Sequence, residues 1–400
     1  MIVYLIIVLS FCAIYPIIPR KHTKWLFLAL VLALSIIAFY VVPAETDDLF
    51  RYYNTLERLR CGGWDTLQSM IENGEENWDS LPVCGYYFYI ASRFDNNGML
   101  PAMTIFLSYG SMFLVLWRAA ERFNVGKWYL FLSSFFLLST YWFYDICSGI
   151  RNGLAFTLFC AFIYFDVVEK KFRPACWIGY LLMLGLHSSA IMMGAIRLAM
   201  LVSGKVKGNS KAKGQLVTGA MFVLMFASGI IVPKLGEITG IEYLQLISQQ
   251  AERAVETSGG GTDTAYLVNI SVFIVSVLLI VYCIYLINKS ESFLELAEYT
   301  QFVKILLSFM AGSIFFGLTF VRFARWVIPA VTSVIFMVGM QANTDIKKEM
   351  YSNKKQKSVI KSGMLMSSNE LLINVCFIAY TCAHLWYACA GSSLIWLHFK

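Results

Sequence analysis

The sequence predicts an all-α fold, a polytopic bundle of transmembrane helices forming a single domain over residues 1–400. Two observations carry that expectation. The chain is 58% hydrophobic and only 14% charged, with a mean hydropathy of +0.64, whereas a soluble domain carries roughly 25% charged residues. Apolar runs long enough to cross a hydrocarbon core ~30 Å thick recur from end to end. The alternating pattern of a transmembrane barrel is missing.

Charge and cysteine usage narrow the class further. The formal net charge is +7, but the lysines lie in short connections between spans, where basic residues orient a membrane protein, so nucleic acid is not an expected partner. The ten cysteines form no Cys-x-x-Cys pair and no zinc spacing. Most sit inside apolar runs as small buried hydrophobes (Cys12, Cys160, Cys176, Cys283, Cys376, Cys382). Cys61 and Cys84 flank an external loop, and a disulfide between them is open.

Basic residues then set the topology. Met1 to Ile18 lacks a basic leader and a small-residue cleavage site and is read as a retained span. Arg20, Lys21 and Lys24 place the next connection in the cytoplasm, and Trp25 to Val42 crosses outward. The segment Pro43 to Leu81, with nine acidic residues and three arginines, belongs outside, either as a short amphipathic helix pair or as a functional loop. Pro82 to Phe94 is aromatic but too short to span and is read as interfacial or re-entrant, so residues 43–98 form one external loop. Met99 to Trp117 returns inward to Arg118, Arg122 and Lys127. Trp128 to Phe143 goes out, and Gly149 to Phe165 comes back to Glu169, Lys170, Lys171 and Arg173.

Ala175 to Met200 has basic residues beyond both ends, which requires a hairpin of two short helices turning near Gly185-Leu186-His187-Ser188-Ser189. Broken helices of this kind are tolerated where they face a cavity. Leu216 to Val232, Ala265 to Ile287, Phe302 to Phe320, Trp326 to Gly339 and Leu371 to Ala390 complete the series. Residues 234–264 form a second external loop and residues 341–366 a basic cytoplasmic one. The expectation is about ten spans, plus the hairpin and the interfacial segment. No internal repeat is evident, so an inverted-repeat transporter gains no support.

With this topology the polar residues collect near the outer face: Asp47, Asp48 and Arg51 after the second span, Asp145 and Arg151 around a later turn, His187 at the hairpin, and Arg322 with Arg325 before Trp326. Arg51, Arg151, Arg322 and Arg325 converging on one side of a bundle would bind an anionic headgroup, because guanidinium presents a planar fork that matches phosphate oxygens. Each has a plain alternative. Arg322 and Arg325 could snorkel to lipid headgroups, Asp47 and Arg51 could be a surface pair, and His187 could be a helix cap or a hydrogen-bond bridge. Arg197, near the inner end of the hairpin, reads as an anchor. Asp47, His187 and Asp145 are the candidates for accepting a proton from a sugar hydroxyl. No carboxylate cage for a divalent metal is visible, and no cofactor is expected.

Three motifs resemble the EpsG family, related to the Wzy-type O-antigen and capsular polysaccharide polymerases. Glu45-Thr46-Asp47-Asp48 with Arg51-Tyr52-Tyr53 is similar to that family's Gly-Thr-Asp-Tyr…Tyr pattern. Ile150-Arg151-Asn152-Gly153-Leu154-Ala155 is similar to its Arg-Gln-x-x-Ala span opening, and Leu186-His187-Ser188-Ser189-Ala190 to its His-x-Ser-Ala. Order and spacing agree over Met1 to Met200, with Glu45, Asp48 and Asn152 departing from the pattern; the second half matches in its alternation of spans.

The resemblance implies a GT-C-like architecture in a bacterial cytoplasmic membrane. It implies a metal-independent glycosyltransferase joining repeat units carried on polyprenyl diphosphate, with a chain-length regulator and a flippase as partners. Arg151, Arg322 and Arg325 would hold the leaving diphosphate, and Asp47 or His187 would take the acceptor's proton. Two other classes use similar residues. A transporter or flippase of lipid-linked saccharides predicts charge at mid-membrane in several spans, and a membrane acyltransferase that modifies glycans predicts His187 as base with a cytoplasmic or channel-facing acyl-donor site.

Overall fold

The fold is known from a computed structural model that describes residues 2–45, 47–170, 173–205, 210–239, 263–314, 317–353, 368–390 and 398–399. Six of its helices are long and apolar enough to cross a membrane: Arg20–Phe39, Met99–Arg122, Ile150–Glu169, Leu267–Lys289, Thr319–Lys348 and Glu370–Ala388. Shorter apolar helices cover Ile2–Ile14, Arg173–Leu186, Ala190–Val202 and Ala212–Ala227. This is an all-α, multi-pass membrane protein. Helices are the expected solution, since each satisfies its own backbone in a solvent that offers no hydrogen bonds.

Helices α1 (Ile2–Ile14) and α2 (Thr23–Phe39) form a hairpin broken by Pro16 and Pro19. Then comes α3 (Asp48–Glu72), which buries Leu49, Tyr52, Leu56 and Leu59 and leaves Arg51, Glu57 and Arg58 exposed. Spacings of three and four put the buried set on one face. Gly63, at φ 64° and ψ −144°, divides α3 in two, so of the two alternatives the helix pair describes this segment. Next, α4 (Pro82–Ser92) starts with proline in its first turn and packs on α3. Cys61 is exposed and Cys84 buried; both are free thiols, so the disulfide left open above is not made.

The middle of the chain supplies α5 (Met99–Arg122), α6 (Lys127–Thr140), the short α7 (Phe143–Ser148) and α8 (Ile150–Tyr164), the last running into a π-turn over Phe165–Glu169. The hairpin follows as α9 (Arg173–Leu186) and α10 (Ala190–Lys205), with His187, Ser188 and Ser189 between them. Its inner end is locked by charge. Arg197 donates to Asp166 Oδ2 from Nε at 2.8 Å and approaches it from Nη2 at 2.7 Å, and Tyr180 donates to the same oxygen at 3.1 Å. Asp166 and Arg197 are both buried, so Arg197 ties α10 to the inner end of α8.

The remaining helices are α11 (Ser210–Thr239), α12 (Asp263–Lys289), α13 (Ala297–Gly312), α14 (Gly317–Asn353) and α15 (Ser368–Ala390). The second external loop is described only at its flanks, within α11 and α12; residues 240–262 lie outside the described residues. Of the basic loop, residues 341–353 continue α14 and residues 354–367 lie outside them. Strand β1 (Val41–Val42) pairs antiparallel with β2 (His398–Phe399), Val41 opposite Phe399.

Of the six long helices α14 is the most enclosed, packed against α5, α6, α8 and α12. Pro329 lies inside it and removes the bond that would reach back to the carbonyl of Arg325, loosening the helix just past the segment that carries Arg322 and Arg325. Farther in, α14 meets α12 at Gly339, where an added Cβ would lie 2.4 Å from Cys283 Cβ and 2.8 Å from its Cα. Small residues permit such close helix approach in a membrane. Gly339→Ala should therefore lower stability by about 1–3 kcal/mol, seen as earlier thermal unfolding in detergent. Gly219→Ala, whose Cβ meets nothing within 4 Å, should leave unfolding unchanged.

Candidate functional site

The site is built where α3, α8, the α9–α10 turn and the start of α14 meet. Arg151, the second residue of α8, is half-buried; its Nε donates to Tyr52 Oη at 3.2 Å and its Nη1 to the Glu76 carbonyl at 3.1 Å. Its guanidinium lies 5.5 Å from the centre of the Tyr52 ring, and that of Arg51 lies 5.3 Å from the same ring. Two cations thus share one aromatic ring, a stabilising arrangement for each. Tyr52 is buried by the α3 face described above, its ring edge-on to Phe88 at 5.1 Å.

Glu76 supplies the counter-charge. Its Oε1 is 3.4 Å from Arg51 Nε and its Oε2 3.9 Å from Arg151 Nη1, and Arg51 also faces Asp48 Oδ1 at 3.4 Å. Arg322 enters from α14 and donates to Ser189 Oγ at 3.0 Å. It has no carboxylate within ion-pair distance among the described residues; the charge of Arg151 and, in the opposite sense, that of Asp48 act on it from farther away. Both guanidiniums also act on His187, which places the three side chains in one electrostatic neighbourhood.

His187 is buried and accepts the Ser189 N–H at Nδ1, 3.0 Å away, capping α10. That bond requires a lone pair on Nδ1. The neutral ring therefore carries its proton on Nε2, and His187 meets a ligand as a donor. A role as proton acceptor, expected from its type and position, does not fit this tautomer.

A second group lies along the α8–α14 seam. Arg325 Nη1 donates to Asp145 Oδ2 at 2.9 Å, and its guanidinium sits 5.1 Å from the Trp142 ring centre. Burial pushes the Asp145 carboxyl above its ordinary value, and Arg325 pulls it back. Asp145 is thus occupied by a counter-charge. Asp47 accepts at Oδ2 from the Ala44 N–H at 2.9 Å and from the Tyr144 hydroxyl, which ties the start of α3 to α7. Asn152 Oδ1, Arg325 Nε and Trp326 Nε1 are buried and have no hydrogen-bond partner among the described residues. Trp326 stacks on Phe156 of α8 and lies over Gly149.

Arg51, Arg151, Arg322 and His187 are therefore brought together, while Arg325, Asp145 and Asp47 form neighbouring pairs around α7. Sequence reasoning missed Glu76, Tyr52 and Ser189 as partners of the arginines. Glu76 could not be told from the eight other acids of its segment, because its importance comes from a left-handed turn with φ 54°. Two well-formed cavities lie elsewhere. One of about 400 Å³ is apolar and lined by α2 and α5; another of about 450 Å³ is lined by Phe39 to Pro43, part of α3 and the Asp95–Gly98 turn.

The fold and composition define the class: a multi-pass helical membrane protein. Comparison with protein families, with curated proteins and with solved structures finds no match for this chain.

The Asp145–Arg325 pair generates a prediction with a sign. Arg325→Met leaves a half-buried carboxylate without its counter-charge and should cost roughly 1–3 kcal/mol at neutral pH. A carboxyl whose native pKa lies above its unfolded one favours the native state at low pH and loses that contribution as pH rises through the native value. Removing Arg325 raises the Asp145 value further, so the defect should shrink on acidification. Thermal unfolding in detergent from neutral to mildly acidic pH reads this, and Asp145→Asn combined with Arg325→Met should recover most of the loss.

Proposed function

We propose that this chain is a polysaccharide polymerase. It would transfer a growing glycan from a polyprenyl diphosphate carrier to a sugar hydroxyl of the next lipid-linked repeat unit, at the outer face of a bacterial cytoplasmic membrane. The observation that carries the proposal is Arg322, a half-buried guanidinium with no acid partner among the described residues, set beside Arg151. Two like charges held together in a partly dry site favour an anion with several oxygens and more than one charge. The helix starts at Ile150 and Ala190 both lie at this end of the bundle, and helix N-termini favour anions as well. The motif resemblance to the EpsG and Wzy-type polymerases supports the same reading, together with its GT-C-like architecture of about ten spans.

In this reading Arg151, Arg322 and the His187 Nε2–H hold the diphosphate. The bond between the anomeric carbon and the diphosphate oxygen breaks, and polyprenyl diphosphate leaves with the electron pair. The acceptor hydroxyl oxygen forms the new glycosidic bond and gives its proton to a carboxylate. Asp47 is the carboxylate we assign, because Tyr144 and Ala44 hold one of its oxygens in place and Asp145 is committed to Arg325. The arginines stabilise the charge that develops on the leaving group, and Arg325 steadies the wall between α7 and α14.

The test is reconstitution in liposomes with a defined polyprenyl-diphosphate-linked repeat unit. Wild-type protein should give oligomers. Arg322→Gln should lower their rate by about 10²-fold or more, as loss of an oxyanion-stabilising donor does elsewhere, without a change in thermal unfolding. Movement of the lipid-linked unit across the bilayer with no new glycosidic bond would instead make this chain a flippase.

A further inference from the structure

Glu76 stands in a turn held at both ends. Before it, Glu75 pairs with Arg58 at 2.8 Å. After it, Trp78 is buried, 5.7 Å from the Phe88 ring and closely packed on Gly85. Glu76 and Asn77, between these anchors, adopt φ values of 54° and 59°, and Gly74, just before them, 65°. Glycine takes that conformation freely, whereas a glutamate there is strained and persists only where its surroundings hold it.

The turn aims Glu76 at the arginines, yet the contact is slack. Its carboxylate stays 3.4 Å from Arg51 and 3.9 Å from Arg151. Arg58–Glu75 and Arg325–Asp145 close to 2.8 and 2.9 Å in the same molecule, the separation of a well-formed charge-assisted bond. One carboxylate thus stands between two guanidinium forks without closing on either.

We propose that Glu76 is a built-in occupant of the space between these forks, exchanged for one phosphate group of the incoming ligand. The exchange sets the charge the ligand must carry. A monophosphate can meet Arg322 or replace Glu76 between Arg51 and Arg151, but not both; a diphosphate spans the two positions and compensates for the displaced carboxylate. This rests on the reading of the cluster as a diphosphate site.

The experiment measures binding of farnesyl diphosphate and farnesyl monophosphate to the full-length protein in detergent, by calorimetry. Wild-type protein should prefer the diphosphate. Glu76→Gln keeps the side-chain length and the backbone carbonyl that Arg151 uses. It should bind the monophosphate roughly tenfold more tightly, the scale of one partly screened charge contact, and so narrow the preference. Glu76→Gly, which also relieves the backbone, should act in the same direction, and Glu72→Gln, at an exposed acid on α3, should change neither affinity. If the diphosphate binds, Arg322→Gln abolishes that binding and both Glu76 variants match wild type, the role of Glu76 is overturned while the site stands. If neither ligand binds wild type or the Glu76 variants, the diphosphate site falls and this inference with it.

Discussion

Two guanidinium groups, Arg151 and Arg322, are held close enough to repel, at the rim of a bundle whose interior offers little water to screen them. The arrangement around them answers that repulsion unequally. Arg151 receives a tyrosine hydroxyl, an aromatic face, a carbonyl and a distant carboxylate, whereas Arg322 receives one serine hydroxyl. Neither charge can move away. Arg151 is fixed by the first turn of α8 and Arg322 by the helix most enclosed in the protein. A site that keeps positive charge concentrated in this way is stabilised by an anion arriving from outside.

Elements far from the cluster serve its geometry. The buried Arg197–Asp166 pair fastens the inner end of the hairpin, so that its outer turn presents His187 and Ser189 to α14. Losing Asp166 would leave Arg197 buried without a counter-charge, whereas losing Arg197 would leave Asp166 with the more exposed Arg173, 3.5 Å away. At the outer end the Ser189 N–H settles which nitrogen of His187 carries the proton. Pro329 frees the carbonyl of Arg325 within α14 and gives that outer segment some independence from the enclosed helix below.

Much of the architecture was legible because membrane helices are written in composition. The hairpin turn at His187–Ser189 and the amphipathic helix α3 follow from apolar length and charge placement. The convergence of Arg151, His187 and Arg322 was read from motifs and from the ends of the apolar runs on which they stand. Pairings were not legible. Asp145 with Arg325, Asp47 with Tyr144 and Arg151 with Glu76 join residues 75 to 180 positions apart in the chain, and no local spacing encodes such partners. Cys61 and Cys84 failed to pair for a similar reason, since the rotation of α4 that buries one thiol is set by packing.

By itself, then, the sequence determined that this chain lives in a bilayer as helices, because a run of apolar side chains has no other way to satisfy its backbone there. It also marked Arg151, His187 and Arg322 as polar residues at the ends of apolar runs. Only the tertiary structure decided which cation has a carboxylate within ion-pair distance and which, among the described residues, has none. That outcome depends on a strained turn placing Glu76 beside Arg51 and Arg151 and out of ion-pair range of Arg322, and burial and backbone geometry are properties of the assembled bundle.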